Sequence, residues 1–537
     1  MNKLKLFTLT LLLLSGALCL SAENYMERIM TIRDNMDYDH FGDSVKSLDF
    51  NGDGYDDLVV LQSWWVPDSI YVTDPPPNDR NYGRILFYYG GPDFDDQADF
   101  TIEGSYPYQY RHVKYFGMWP VGDVNGDGYD DLGIMERVPP HYRFTIFFGG
   151  SNPSTEPGYI LEINDPGIEP GMVFFDPLGD INGDGYADIA LWAYPLNRYD
   201  SRYLHIILGG SFEQIFFDIT QCEDSSGLHG IGDINNDGYD DFCYTIYRSN
   251  PRYHEKRIYY GSDPLNFDDY VVIVPNFTEA ATITACKVGD VNGDGYDDFV
   301  GLIESNGMHL WLGGKSIDQT SDVLLWPPYG GLVDNRCIVH GDFNGDGYQD
   351  IIGSEYATRE KACLWLGGSN MNGEADLYLH SVGWGFEFGR SMAVGDFNAD
   401  GYDDVAIAEY SLSDDIFPGR VHIFAGNAEL KDTTVANDDE VIIPPVSSWD
   451  FRVIPNPFKQ GTNIKLDFLG SGYDKLRHAE LRIYNIKGQL EYKHHIDGLS
   501  LKTGEIKLEN LPLAKGIHLV SICSGGSTLK TQKITIK

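Results

Sequence analysis

The chain of 537 residues is long enough for several domains, and its 42% hydrophobic and 13% aromatic content excludes wholesale disorder. Its 39 Lys+Arg against 81 Asp+Glu leave a formal charge of -42, a field that repels phosphate backbones and anionic membranes and so excludes nucleic acid as a partner. The 60 Gly and 26 Pro point to many turns and short strands rather than to a helical architecture.

Residues 1–22 read as a secretory signal peptide. Met1-Asn2-Lys3-Leu4-Lys5 supplies the charged start, Leu6 to Leu20 the apolar run and Ser21-Ala22 the small residues before cleavage. An apolar run of about 15 residues falls short of the roughly 20 that cross a bilayer, and no later stretch does better, so no transmembrane segment is expected after signal removal. The mature chain is expected to begin near Glu23. Cys19 leaves with the signal. Cys222, Cys243, Cys286, Cys337, Cys363 and Cys523 follow no metal-ligand spacing and read as buried free thiols rather than a disulfide scaffold.

One nonapeptide, D-x-N-x-D-G-Y-x-D, recurs seven times, starting at Asp49, Asp123, Asp180, Asp233, Asp290, Asp342 and Asp396. The starts are 74, 57, 53, 57, 52 and 54 residues apart, a repeat with one insertion in its first copy. A hard cation takes six to eight oxygen ligands, and the loop offers oxygens at positions 1, 3, 5, 7 (a backbone carbonyl) and 9. In chain order these are Asp49, Asn51, Asp53, Tyr55 and Asp57; Asp123, Asn125, Asp127, Tyr129 and Asp131; Asp180, Asn182, Asp184, Tyr186 and Asp188; Asp233, Asn235, Asp237, Tyr239 and Asp241; Asp290, Asn292, Asp294, Tyr296 and Asp298; Asp342, Asn344, Asp346, Tyr348 and Asp350; and Asp396, Asn398, Asp400, Tyr402 and Asp404. An EF-hand loop shares the early spacing but closes with Glu at position 12 between helices, whereas here Asp closes at position 9 between strands. A plain Asx or Gly turn would use the same residue types. Turn formation alone, however, does not demand oxygen donors at positions 1, 3, 5 and 9 in every copy while position 8 drifts to Ala187 and Gln349. The expected cofactor is Ca2+, up to seven ions, since Mg2+ prefers a sparser octahedral set.

Each loop sits in a frame of four short strands, in the first copy Ser44 to Leu48, Leu58 to Gln62, Arg84 to Tyr89 and Phe100 to Glu103. A Gly-Gly turn follows the third strand at Gly90-Gly91, Gly149-Gly150, Gly209-Gly210, Gly313-Gly314 and Gly367-Gly368, with Gly261-Ser262 and Gly426-Asn427 as variants. The expected fold is all-β, a seven-bladed β-propeller followed by a small C-terminal β-sandwich. These repeats resemble the FG-GAP family found in integrin α-chain propellers and in bacterial secreted proteins; Phe41-Gly42, Phe116-Gly117 and Phe388-Gly389 carry the name motif, which the middle repeats lack. The resemblance covers about residues 25–430 and implies Ca2+ between the first two strands of each blade. The propeller is assigned to 23–430, and either Met30 to Arg33 or Glu440 to Ile443 is available as the outer strand of the last blade.

Residues 431–450 read as a linker ending in Pro444-Pro445 and Val446 to Asp450. Residues 451–537 hold 14 Lys+Arg and 7 Asp+Glu, a surplus of seven positive charges that leaves -49 on the remainder. Alternation over Asn463 to Phe468, Glu480 to Ile486, Glu505 to Leu508 and Lys530 to Ile536 suggests an antiparallel sandwich. The order Pro455-Asn456-Pro457-Phe458, Leu481 to Asn485 with Gly488-Gln489, Gly516-Ile517-His518 and Lys530 to Lys537 resembles the type A C-terminal sorting domain of type IX secretion. It implies that an outer-membrane secretion machinery recognises this tail and that the protein is secreted or displayed on the surface of a Gram-negative, Bacteroidetes-like bacterium. A generic carbohydrate-binding or Ig-like sandwich is the alternative. His494-His495 reads as strand edge rather than as a metal site.

In an up-and-down blade the cation loops share one face, and the connections between second and third strands share the other. Those connections are expected to be long in the first four blades. They carry Trp64, Trp65, Arg80 and Tyr82, then Arg137, His141, Tyr142 and Arg143, then Arg198, Tyr199, Arg202 and Tyr203, then Arg248, Arg252, Tyr253 and His254. Arg and aromatic residues gathered on one face of an acidic protein form a candidate surface for an acidic glycan or a protein ligand; balancing of local charge and covering of blade edges is the plainer reading. The sequence holds no nucleophile elbow, H-E-x-x-H, phosphate loop or dinucleotide fingerprint, so no catalytic residues are nominated. Adhesion or recognition is the expected role, with a polysaccharide lyase or hydrolase, or a passive surface scaffold, as alternatives.

Overall fold

Every repeat opens with an alternating apolar run, breaks at the Asp- and Gly-rich nonapeptide and resumes in the opposite direction. Such a chain pairs each strand with its sequence neighbour. A computed structural model bears this pattern; it describes residues 25–537 except 34–39, 68–80, 108, 111–112, 114–116, 139–140, 164–167, 196–202, 217–223, 250–251, 274–284, 304–306, 318, 326–332, 356–360, 382–386, 411–418, 432–448, 455–458, 460–463, 471–479, 486, 488–489, 497–504, 509–510, 512 and 525–526. The proposed signal peptide and the Glu440 to Ile443 alternative lie outside the described residues. The chain divides into two units, Met1–Val435 and Ala436–Lys537. All described regular structure is β, and among the described residues no helix is long and apolar enough to cross a membrane.

In the first unit the described strands form seven four-stranded antiparallel sheets. Sheet 1 is a meander of Phe41–Leu48, Asp57–Gln62, Arg84–Tyr88 and Phe100–Glu103. Sheets 2 to 6 repeat it from Met118–Gly122, Ile168–Gly179, Asp224–Gly232, Ala285–Gly289 and Val333–Gly341 onward. Sheet 7 takes Glu387–Gly395, Asp404–Tyr410 and Arg420–Ala425 from its own repeat, and its fourth strand is the N-terminal Glu27–Arg33, paired antiparallel to Arg420–Ala425. Of the two segments available for closure, the N-terminal one does the pairing.

The first strand of each sheet contacts the first strand of the next, and that of sheet 7 returns to that of sheet 1. Apolar burial follows the same circle. Instead of one central core the described residues of this unit form seven clusters, each shared by two adjacent sheets: Leu48, Phe50 and Phe87 meet Leu132 and Ile134 between sheets 1 and 2, and Ile32, Val421 and Ile423 meet Phe41, Val45 and Val60 between sheets 7 and 1. A radial propeller is the architecture that buries both faces of every sheet while leaving only short outer edges.

The second unit has a three-stranded sheet of Trp449–Ile454, Ile464–Gly470 and Glu505–Leu508. Beside it a four-stranded sheet runs in the order Leu490–His495, Glu480–Asn485, Gly516–Ser524, Ser527–Ile536. Phe451, Leu466 and Ile506 of the first sheet share one core with Leu481, Ile483, Val520 and Ile534 of the second, which makes the unit a β-sandwich.

Closure through the N-terminal strand gives Ile32 more weight than its position near the chain start suggests. Ile32 is fully buried whereas Ile29, on the same strand, is 42% exposed. Ile32→Ala is expected to cost about 2–5 kcal/mol in denaturant unfolding, against under about 1 kcal/mol for Ile29→Ala. Equal costs would contradict closure by this strand.

Candidate functional site

The seven nonapeptides join the first two strands of each sheet, and all are built alike. In the first, Asp49 Oδ1 accepts from the backbone N–H groups of Gly52 (2.8 Å) and Asp53 (3.1 Å), and Oδ2 accepts from Gly54 (3.0 Å). Asn51 Oδ1 accepts from Asp53 N–H and Asp53 Oδ1 from Tyr55 N–H, at 2.8 and 3.0 Å. The backbone thus winds around its own side-chain oxygens, a polar turn in which positions 1, 3 and 5 point inward. Gly54, at φ 90°, meets no atom a Cβ would touch, so its role is the left-handed backbone alone.

Position 9 is different. Asp57 is fully buried; its Oδ2 accepts from Phe50 and Asn51 N–H at 3.1 and 3.2 Å, and its Oδ1 from Gly90 N–H at 3.0 Å. Each of the other six closing carboxylates receives the first Gly of its own Gly-Gly turn in the same way, from Gly149 on Asp131 to Gly426 on Asp404. The Gly-Gly turn and the nonapeptide therefore lie at the same end of the blade. A Cβ on Gly90 would come within 2.2 Å of the Asp56 carbonyl, which is why the first Gly is kept in all seven turns.

Burial pushes these closing carboxyls up, to about 7 for Asp57, Asp131, Asp188 and Asp298 and about 8 for Asp241, Asp350 and Asp404, despite the backbone donors that pull the other way. Near neutral pH the metal-free loop holds these groups poorly as anions. Asp404 Oδ2 is, in addition, buried without a hydrogen-bond partner. Among the described residues no three His, Cys, Asp or Glu side chains converge as a ready cluster, because the position 1 and 5 carboxylates are drawn onto backbone N–H groups. The donor set itself, carboxylates, one carboxamide and a carbonyl, fits a hard divalent cation and no softer metal. Charge compensation at buried carboxylates is the chemistry such an ion would supply.

The loops are also tied to each other, through positions that the sequence pattern leaves without a role. The residue after the first Gly donates its N–H to the position 2 carbonyl of the preceding blade: Gly150 to Phe50, Gly210 to Val124, Ser262 to Ile181, Gly314 to Ile234, Gly368 to Val291, Asn427 to Phe343 and, closing the circle, Gly91 to Phe397. Position 8 of the next blade caps the position 1 amide, as Asp130 does for Asp49 (3.3 Å) and Asp403 for Asp342 (2.7 Å). Ala187 cannot do this, and Gln349 turns to His340 instead. The position 7 ring lies over the position 4 glycine of the preceding loop, so closely that a Cβ on Gly52 would sit 2.2 Å from Tyr129. A carbonyl ligand alone would not require Tyr in seven copies, and a free turn would not prefer Asp at position 8 in five of them or an apolar residue at position 2 in all. These were the signals available in the sequence.

On the opposite end the structure changes the expected picture. In blades 2 and 4 the second and third strands run on as hairpins, Asp131–Val138 to His141–Phe147 and Asp241–Ser249 to Arg252–Tyr259. Arg137, His141, Tyr142, Arg143, Arg248, Arg252, Tyr253 and His254 are therefore strand residues, and so is Tyr203, rather than members of long loops. Continued β pairing satisfies the backbone groups that a long loop would leave to water. Tyr142 is buried, and Arg143 is bound to Glu162 at 2.7 Å with Glu136 at 4.0 Å, so its charge is met inside the blade. Trp65 is a core residue with the Arg84 guanidinium 5.2 Å above its ring, and Tyr82, half-buried, donates its N–H to the Trp65 carbonyl. Trp64 is only half-buried and stacks on His40, with ring centroids 4.2 Å apart, while His40 itself adopts a left-handed φ of 55°. Arg80, Arg198, Tyr199 and Arg202 lie outside the described residues.

The interlock between Tyr129 and the loop of blade 1 can be measured directly. Gly52→Ala is expected to destabilise by about 1–3 kcal/mol, more than Gly54→Ala, and to lose most of that excess in a Tyr129→Ala background. Additive costs in the double-mutant cycle would show that the two loops are not in contact.

The comparisons agree with this geometry in both units. Residues 388–424 match the FG-GAP repeat and residues 452–537 the secretion system C-terminal sorting domain. The chain is similar to integrin alpha-PS2 of Drosophila melanogaster, 30% identical over 183 residues covering 32% of this chain and 12% of that protein. It is also similar to integrin alpha-4 of Xenopus laevis, 25% identical over 161 residues (29% of this chain, 14% of that protein), and to integrin alpha-IIb of Homo sapiens, 27% over 190 residues (33% and 17%). The matches thus span a small part of those much longer relatives. The sorting domain implies the type IX secretion machinery as a partner, and with it secretion or cell-surface display. The chain accordingly carries an FG-GAP repeat on a β-propeller fold, is similar in part to integrin α-chains, and bears a C-terminal secretion sorting domain.

Proposed function

We propose that this is a calcium-binding β-propeller of seven blades, secreted or held at the cell surface, that acts in adhesion or recognition of an extracellular glycan or protein and carries no catalytic residues. The observation that supports the cation is the set of seven closing carboxylates, fully buried and with raised pKa values. Asp49, Asn51, Asp53, the Tyr55 carbonyl and Asp57 would hold the first ion, and their counterparts the other six. Calcium would supply the positive charge that these groups lack; the protein's own part is to hold the carboxylates in place and shield them from water. With dissociation constants of about 0.1–1 mM, as is common for extracellular calcium modules, millimolar calcium adds roughly 0.4–1.4 kcal/mol per site.

The pH dependence has a definite sign. A carboxyl whose pKa is higher folded than unfolded stabilises the fold at acid pH and loses that contribution as pH rises through its folded value. The metal-free protein is therefore expected to have its higher melting temperature near pH 5 and a lower one at pH 8, the loss falling between about 4 and 8 as Asp57 and its six equivalents ionise. Calcium is expected to remove most of this dependence and to raise the melting temperature more at pH 8 than at pH 5. A melting temperature indifferent to chelator at both pH values would refute the cation reading.

Recognition is supported by the partial similarity to integrin α-chains together with the sorting tail, and on the face away from the cation loops the half-buried Trp64 is one described aromatic side chain that a ligand could contact. Binding of the calcium-loaded protein to an array of acidic and neutral polysaccharides and matrix proteins is expected to fall at least tenfold for the responsive ligand on Trp64→Ala. Trp65→Ala is unsuitable as a probe because it would open the core. Binding unaffected by Trp64→Ala would place recognition elsewhere.

A further inference from the structure

Lys256 is buried to 1% exposure, among the largest fully enclosed side chains of the propeller. Among the described residues its polar partner is a thiol: Nζ lies 3.5 Å from Cys243 Sγ, and no carboxylate is bound to it. Lys256 stands on the third strand of sheet 4, opposite Thr245 and Ile273, and Cys243 on the second strand, opposite Ile258. Cys243 and Ile258 belong to the apolar cluster between sheets 4 and 5, with Ile231, Phe299 and Trp311. An ammonium ion in such a place costs far more than a neutral amine. Burial accordingly lowers the Lys256 pKa and raises that of the Cys243 thiol, so both groups are pushed toward their neutral forms. Among the described residues no salt bridge explains the lysine, and an apolar side chain would fill the site at less cost.

We propose that Lys256 and Cys243 are a covalent modification site, in which dioxygen joins the amine nitrogen to the thiol sulfur through a single oxygen atom. One N–H bond and the S–H bond break, and an N–O and an O–S bond form. Nitrogen and sulfur each give up two electrons, dioxygen takes all four, and its second oxygen leaves as water. The amine is the base nearest the thiol as the sulfur is oxidised, and the protons released from nitrogen and sulfur end in the water. Cys286 is the neighbouring thiol that could compete, as it interacts with both Cys243 and Lys256, and a disulfide with it would cost two hydrogens and gain no oxygen. The bridge would staple the two middle strands of blade 4 where they face blade 5, and two equivalents of a dithiol would reverse it, returning amine, thiol and water.

The test is mass spectrometry on the full chain, prepared with and without air. Aerobic protein is expected to gain one oxygen and lose two hydrogens, about 14 Da, in a peptide that links the Lys256 and Cys243 segments. Reduction or anaerobic preparation is expected to abolish the link, and reduction to lower the melting temperature of the aerobic protein. Cys243→Ser and Lys256→Met are both expected to abolish the mass gain, while Cys286→Ser keeps it; the wild-type comparison of aerobic with reduced protein needs no variant and stands even if these fail to fold. Separate unmodified peptides after aerobic preparation would overturn the proposal, as would a link that lost two hydrogens without gaining oxygen.

Discussion

The structure depends on one recurring interaction, the hold of each nonapeptide on its neighbours. The closing Asp fastens the loop to the Gly-Gly turn of its own blade. From that turn the next amide reaches the position 2 carbonyl of the preceding blade, and the circle returns from Gly91 to Phe397. Hydrogen bonds in water contribute little net, yet a buried backbone group left unpaired is costly, so a ring in which every such group has a partner is hard to open at one place. The apolar clusters follow the same circle, and no single blade can bury either of its faces alone. Stability is thereby a property of neighbouring pairs, as in other repeat architectures, except that here the last pair includes the first blade.

This arrangement explains why the acidic loops are tolerated. Seven buried carboxylates at one end of a chain of charge -42 would be a liability in a monotonic field. Each is instead met by backbone donors, and the remaining electrostatic deficit appears as a raised pKa rather than as an open structure. A divalent cation would complete the compensation, so that in the proposed reading the calcium concentration outside the cell sets how firmly the ring is closed. The basic tail, with its own sandwich core, carries the sorting function and none of these loops.

The opposite end of the propeller follows different rules. Hairpins in blades 2 and 4 extend the sheets where long loops were expected, and they draw Tyr142 and Arg143 into internal contacts. In blade 1 the half-buried Trp64 stacks on a His40 whose backbone is held in a sparsely populated conformation. The difference between the two ends is a consequence of the up-and-down blade, which sends alternate connections to opposite faces.

The sequence by itself determined the all-β class, the repeat, the strand frame of the first blade to within three residues, and the oxygen donors, because each is written in local spacing: alternation for strands and side-chain type for ligands. It also displayed Tyr at position 7, a preference for Asp at position 8 and an apolar residue at position 2, without saying what they touch. Only the tertiary structure decided that, since Tyr129 meets Gly52, and Asp130 meets Asp49, across a blade boundary more than 70 residues away in sequence. The choice of Glu27–Arg33 as the closing strand was likewise tertiary: two segments offered strand-forming residues, and which of them pairs with Arg420–Ala425 depends on where the ring brings its two ends. Lys256 is the sharpest case. Its neighbours on the strand, Glu255 and Arg257, give it the look of a solvated charge, and it became a buried amine against a thiol because strand pairing fixed which face it occupies.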